Sequence, residues 1–361
     1  MKKILIINWR DINNPEAGGA EIYFHEIFRR LVSRGYKCTV LAHQFKGGEK
    51  ETVIDGLRVI RISNKFTFNF SVIPYLLKHQ NEYDLIIEDL NKLPFFTPIF
   101  VRRKRMHMVM HLFGRSIFSE APFPLALYVF LMEKLIPFIY RKEEFVAISE
   151  STKSEVNHFG IPKEKIKVVE PGIDTSFFTS DAPKSHTPLL VYIGRLMRYK
   201  NVQFVIRAIR RLKKDLPDIQ FEVAGSGDYT DKLKDLVKQL GVEQQVRFAG
   251  RIDENQKRTL LSRATLFVNP SSKEGWGINN IEANLCGTIS LSSNVPGLRD
   301  SVCDGVTGML YTPENMDDFC QKVLLLHKDV RLRETMEQAA IKRGKTFEWP
   351  SIAERMEECV K

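Results

Sequence analysis

Asn269-Pro-Ser-Ser-Lys-Glu-Gly-Trp-Gly-Ile-Asn-Asn-Ile-Glu282 reads as the end of a strand, a glycine-bearing loop and the start of a helix near Ile278. In an open α/β sheet, ligands bind at the carboxyl ends of strands. The free N–H groups of Gly277, Ile278 and Asn279 would point from the helix start toward an anion. Gly275 and Gly277 have no side chains to keep a ligand from the backbone. Glu274 precedes the loop, Trp276 lies within it, and Glu282 falls about one turn into the helix. Two carboxylates so spaced can hold hydroxyls at opposite ends of an elongated ligand whose phosphates lie between them. A solvated corner with two glutamates is the plain structural alternative.

Outward from this segment, short β-branched runs alternate with helical patterns, the signature of a parallel sheet covered by helices. In the second half the runs 189–193, 219–224, 246–248, 266–269 and 289–291 read as strands. Helices are expected through Val202, Val205, Ile206, Ile209 and Leu212, and through Leu233, Leu236, Val237 and Leu240. Gly194-Arg195 and Lys200 follow the first of these strands, where two cations can neutralise a diphosphate. Gly225-Ser-Gly227 ends the second strand, but Thr230 breaks the full dinucleotide fingerprint G-x-G-x-x-G.

The first half repeats the alternation, with strands expected at 4–8, 38–42, 84–88, 106–111, 145–148 and 166–169. The run at 4–8 is too short for a signal peptide and is read as a buried strand. A helix over 20–33 should bury Ile22, Phe24, Ile27, Phe28 and Leu31, and Ser149 or Ser151 should cap another over 151–159. Gly18-Gly19 precede the first helix, and His111 ends a strand; either arrangement also occurs for purely structural reasons. The aperiodic stretch 171–188 reads as a linker. The halves are therefore assigned as 1–175 and 176–345, with a closing helix over 346–361.

At 361 residues, 43% hydrophobic and 27% charged, the chain is of ordinary globular composition and long enough for two domains. Five scattered cysteines without a C-x-x-C pair indicate neither a disulfide framework nor a zinc site and fit a reducing cytoplasm. The apolar stretch 123–140 is interrupted by Glu133, Lys134, Pro124 and Pro137, which argues against a membrane span. The net charge of +10 admits a polyanionic ligand or peripheral contact with an anionic membrane, such as the inner face of a cell membrane. Its densest cluster, Arg102-Arg103-Lys104-Arg105, follows the aromatic run 95–100. No nucleic-acid motif accompanies the charge, so nucleic acid is not expected as a partner.

Taken in order, the Gly18-Gly19 loop, His111, 147–153, 170–177, Gly194-Arg195 with Lys200, 225–227, 248–250, Glu274 with Glu282, and 296–301 resemble the family 4 glycosyltransferases, whose E-x7-E motif the two glutamates match. The sequence departs from the family pattern at Pro171, Trp276 and the Ala-Asn-Leu after Glu282. The resemblance implies the GT-B fold, an α/β architecture of two Rossmann-like doubly wound domains facing across a cleft. It implies a retaining enzyme that moves a sugar from a UDP- or GDP-linked donor to a sugar or lipid-linked acceptor in glycan or cell-envelope synthesis. Arg195 and Lys200 would take the diphosphate, Glu282 the ribose, and Glu274 the transferred sugar. The backbone of Gly275 to Asn279 would contact sugar and phosphate, and Ile252 would frame the base. His111 would reach the sugar, and Gly19 would lie near phosphate and acceptor. No D-x-D motif occurs, so no metal and no cofactor is expected. A nucleotide-sugar epimerase of the same fold and a non-catalytic nucleotide-sugar-binding protein are the alternatives.

Overall fold

A computed structural model describes the whole chain except Lys92, His111, Phe113, Arg115, Ser116, Ala121 and the side chains of Ser119 and Glu120. The chain divides into two compact units: Met1–Gly172 joined by Trp349–Lys361, and Ile173–Glu348.

The first unit holds an eight-stranded sheet. Its strands are β1 (Lys3–Ile7), β2 (Lys37–His43), β3 (Glu51–Ile54), β4 (Leu57–Ile62), β5 (Leu85–Asp89), β6 (Lys104–Val109), β7 (Phe145–Ala147) and β8 (Ile166–Val168). Their order is β3-β4-β2-β1-β5-β6-β7-β8, parallel except for β3. β1 after Lys3 and β5 through Ile87 are continuous apolar runs because helices cover both faces of a parallel sheet. β3 and β4 form a hairpin absent from the sequence reading. Asp55 and Gly56 turn it with φ of 47° and 81°, the left-handed pair that a tight two-residue turn requires.

The helix Gly19–Ser33 buries Tyr23, Phe24, Ile27, Phe28 and Leu31. Ile22, expected in that stripe, is 47% exposed; Tyr23 takes the inward position because the 3.6-residue repeat carries Ile22 off the apolar face. Ser149 caps the helix Glu150–His158 by accepting from the Thr152 amide at 3.0 Å. The basic cluster runs from the end of the short helix Thr97–Phe100 into β6: Lys104 and Arg105 open the strand, and Arg105 forms a two-pronged pair with Glu143 at 2.8 and 3.0 Å. The last helix, Trp349–Val360, lies against Gly19–Ser33, where Arg34 meets Glu357 at 2.7 Å.

The second unit holds β9 (Leu189–Ile193), β10 (Gln220–Ala224), β11 (Val246–Gly250), β12 (Leu266–Asn269), β13 (Ser290–Ser293) and β14 (Gly308–Tyr311). All pair in parallel, in the order β11-β10-β9-β12-β13-β14. The helix Val202–Leu212 buries Val202, Val205, Ile206, Ile209 and Leu212 against this sheet and keeps Arg207, Arg210 and Arg211 out. Gly241, at φ 62°, ends the helix Thr230–Leu240. Among the described residues no helix is long and apolar enough to cross a membrane.

Candidate functional site

The order of the second sheet reverses direction at β9: β10 lies on one side of it and β12 on the other. Loops leaving two such strands diverge to opposite faces and open a crevice at their carboxyl ends. The segments at 194–200, 225–227 and 274–282 follow β9, β10 and β12, and 248–252 runs out of β11, four adjacent strands; 296–301 follows β13.

The loops are fixed by backbone contacts that only glycine permits. A Cβ on Gly225, where φ is 135°, would lie 1.9 Å from the Gly194 carbonyl oxygen. The amides of Gly194 and Leu196 donate to Ala224 and Ser226, each at 3.0 Å, and Gly225 donates to Gly250 at 2.6 Å. The loops after β9, β10 and β11 are thereby laced into one edge. On the other side of the crevice, Gly277 caps the helix Ile278–Leu285 at φ 75°. A Cβ on Gly297, at φ 83°, would meet the Glu274 carbonyl oxygen at 2.2 Å. Asn279 Nδ2 donates to the Ile193 carbonyl at 2.8 Å and so ties the helix start to the end of β9.

Charge is concentrated at this crevice. Lys200 Nζ lies 2.5 Å from Glu274 Oε1, which also accepts from Ser271 Oγ at 2.9 Å. Lys200 rests over the Tyr199 ring at 5.1 Å. Arg195 is exposed and makes no ion pair among the described residues. Glu282 is 6% exposed, and Lys257 Nζ lies 2.7 Å from its Oε2. Burial raises the Glu282 carboxyl above the usual carboxylate range, and Lys257 opposes that rise. Lys257 in turn lies over the Phe178 ring at 5.2 Å.

Arg195, Lys200, Glu274, Gly275, Gly277, Ile278, Asn279 and Glu282 thus all border the β9–β12 crevice. The amides of Ile278 and Asn279 precede the internal hydrogen-bond ladder of their helix and remain directed outward. Trp276 is buried edge-to-face against Phe347 at 4.9 Å, so its ring packs the loop rather than facing solvent. Ile252 is half-buried just past β11, immediately before Asp253 caps the helix Glu254–Arg263. Gly19 belongs to the first unit, as the opening residue of Gly19–Ser33, with open space where a Cβ would stand. His111 lies outside the described residues. Lys257 is the partner of Glu282 that the sequence reading missed. Its signal was the capping box Asp253-Glu-Asn-Gln256, which marks a helix start at Glu254 and so places Lys257 in the first turn.

A parallel six-stranded sheet with anion-directed amides, paired lysines and glutamates and glycine-laced loops at its switch point defines a glycosyltransferase of the GT-B class. Two family models account for most of the chain: "Glycosyltransferase Family 4" over residues 17–177 and "Glycosyl transferases group 1" over residues 175–343. The chain belongs to glycosyltransferase family 4 and is a transferase. It is similar to the glycogen synthase of Mycobacterium tuberculosis, at 25% identity over 97% of this chain and 92% of that protein. It is also similar to a D-inositol 3-phosphate glycosyltransferase of Corynebacterium aurimucosum, at 27% identity over 59% of this chain and 55% of that protein. Among solved structures, the fold is that of sucrose-phosphate synthase from Thermosynechococcus elongatus, with a TM-score of 0.80 at 19% identity, covering 100% of this chain and 98% of that one. Anabaena HepE in complex with UDP and glucose gives a TM-score of 0.79 at 18% identity, covering 100% and 99%.

Proposed function

We propose that this enzyme transfers a sugar with retention from a UDP- or GDP-linked donor to a sugar or lipid-linked acceptor, without a metal ion. The observation that carries this reading is the Lys200–Glu274 pair at the switch point of the second unit, with Arg195, which has no ion pair among the described residues, following the same strand. A diphosphate entering the crevice offers Lys200 a stronger partner than Glu274, and Arg195 supplies a second cation. Glu274, released from the lysine, is then free to accept a hydroxyl of the transferred sugar. The two cations stabilise the charge that develops on the departing diphosphate, the role a divalent ion serves elsewhere. Glu282 accepts ribose hydroxyls, the amides of Gly275 to Asn279 face sugar and phosphate, and Ile252 frames the base.

Retention follows if the departing phosphate itself takes the acceptor's proton on the face it leaves. No carboxylate base is then required on the opposite face. A similar structure, Anabaena HepE, holds UDP, UDP-glucose, or UDP and glucose, which supports a uridine-linked donor. One experiment tests both halves of the proposal. The enzyme is supplied with an α-linked donor in excess chelator, and the anomeric coupling constant of the product is read by NMR. An α-linked product at an undiminished rate is expected. A β-linked product would overturn retention, and complete loss of activity in chelator would overturn metal independence.

A further inference from the structure

The first unit carries an apolar surface that its own fold does not cover. The helix Phe123–Glu133 and the short helix after it expose Phe123, Leu125, Tyr128, Leu131, Leu135 and Phe138, the last at 83%. The helix Phe68–His79 and its approach expose Phe66, Phe70 and Leu77, and Ile99 stands out of the turn Thr97–Phe100. These helices connect β4 to β5, β5 to β6 and β6 to β7, steps that all run the same way across the sheet. Right-handed crossovers therefore lay them on one face. Leu93 packs against Ala126 and Val129, and Phe95 packs among Phe68, Val72 and Leu76, so the chain between the helices ties them into one surface.

The charge on these segments points to what covers them. The helix-bearing segments 64–81, 93–110 and 122–142 contain nine lysines and arginines and one acid, Glu133; the acids between and after them include the buried Glu88 and Asp89 and Glu143, which pairs with Arg105. Glu133 is buried and accepts the Gly114 amide at 2.8 Å. Arg102, Arg103, Lys104, Lys134, Arg141 and Lys142 are exposed around the apolar strip. A second copy of this chain would set the same positive charge against itself. The helix Phe123–Glu133, roughly 16 Å long at 1.5 Å per residue, is too short to span a bilayer but suited to lie in its interface.

We infer that this face of the first unit docks on the surface of an anionic lipid bilayer, with the aromatic and leucine side chains entering the headgroup boundary and the basic rim meeting the lipid charge. The inference goes beyond the donor chemistry, and it is tested without donor or acceptor, so a failed transfer assay and a failed docking assay are separate results. The full chain is sedimented with vesicles of phosphatidylcholine alone and of phosphatidylcholine mixed with phosphatidylglycerol. Partition into the mixed vesicles is expected to be stronger by at least about tenfold and to weaken with salt. The pair Leu125→Glu with Leu131→Glu, and separately Arg102→Glu with Arg103→Glu, should each weaken it by about tenfold or more. UDP binding by calorimetry, unchanged in both variants, would show that the protein remains folded. Equal partition into the two vesicle types, no partition into either, or variants that change only the oligomeric state would overturn the inference.

Discussion

The two units hold similar parallel sheets, and the contrast lies in where their charged groups are set along the strands. In the second unit the charges follow the strands, in the loops and helices beyond their carboxyl ends, where Lys200 pairs with Glu274 and Lys257 with the buried Glu282. In the first, a network runs through the strands themselves, from Glu88 in β5 to His107 and Arg105 in β6 and Glu143 just before β7. Glu88 accepts from the Phe95 amide at 2.6 Å, from Tyr140 Oη at 2.7 Å and from Thr97 Oγ1, and His107 lies 3.3 Å from it. His107 also faces Glu143 at 3.4 Å, and Arg105 closes the chain of contacts. Pairs at a crevice can be exchanged for a ligand's groups; a sealed network can only hold loops in place. The same topology thus carries exchangeable pairs in one unit and an enclosed network in the other.

The largest expected effect separates the two arrangements directly. Lys200→Ala and Glu274→Ala should each lower turnover by at least about 100-fold, the scale of losing one preorganised electrostatic contact. Glu88→Gln should act instead on the melting temperature, with turnover at permissive temperature close to the parent. Steady-state kinetics alongside a thermal melt distinguishes the outcomes. Near-normal turnover in both crevice variants would erase the contrast and move the reaction elsewhere.

A smaller effect tests the inward network. Burial raises the Glu143 carboxyl, but the hydrogen bonds and charges of His107 and Arg105 outweigh burial and bring it from 4.5 to about 2. A depressed carboxyl contributes stability that is fully present above its unfolded value and is lost as the pH falls through the folded one. Glu143→Gln should therefore cost about 2 kcal/mol near neutral pH, after discounting for partial solvent access, and should flatten the decline between roughly pH 4.5 and pH 2. His107 works in the opposite window. Burial lowers its pKa, yet Glu143 and Glu88 raise it overall, so its contribution is present in acid and lost as the pH rises through the folded value. Urea midpoints across pH, with and without the substitution, check the sign; a variant that keeps the parent's acid slope would show that Glu143 does not carry it.

What the sequence revealed of these arrangements followed from pattern strength. The β9 and β12 corners were legible because an apolar run, a glycine turn and a helical repeat succeed one another at Leu189–Leu212 and Asn269–Leu285. The β3–β4 hairpin was passed over although Asp55-Gly56 marks its turn, because an edge strand alternating exposed and half-buried residues lacks the continuous apolar run of a buried parallel strand. The helix Phe68–His79 is masked by its internal Pro74 and by apolar residues on both faces, Phe68, Val72 and Leu76 inward and Phe70 and Leu77 outward. The partners of the two motif glutamates were beyond reach for another reason. Lys200 and Glu274 are 74 residues apart and Lys257 and Glu282 are 25 apart, and only the strand order brings each pair together.

The smallest effect examines the buried member of those pairs. Glu282 is all but enclosed, and a carboxylate without a counter-charge in such a place reverts to its neutral form. Burial raises the Glu282 carboxyl overall, and Lys257, 2.7 Å away, opposes that rise. Removing the lysine leaves burial unopposed, so the Glu282 carboxyl rises further. In Lys257→Met, donor affinity should fall by about tenfold, equivalent to about 1.4 kcal/mol, and its acid limb should move to higher pH than in the parent. Turnover at saturating donor should stay within about twofold, because Lys257 touches neither the diphosphate cations nor Glu274. Lys257→Arg should restore both affinity and limb by keeping the charge. Calorimetric titration of UDP across pH separates this from a packing role over Phe178, since lost packing weakens binding at every pH and leaves the limb in place.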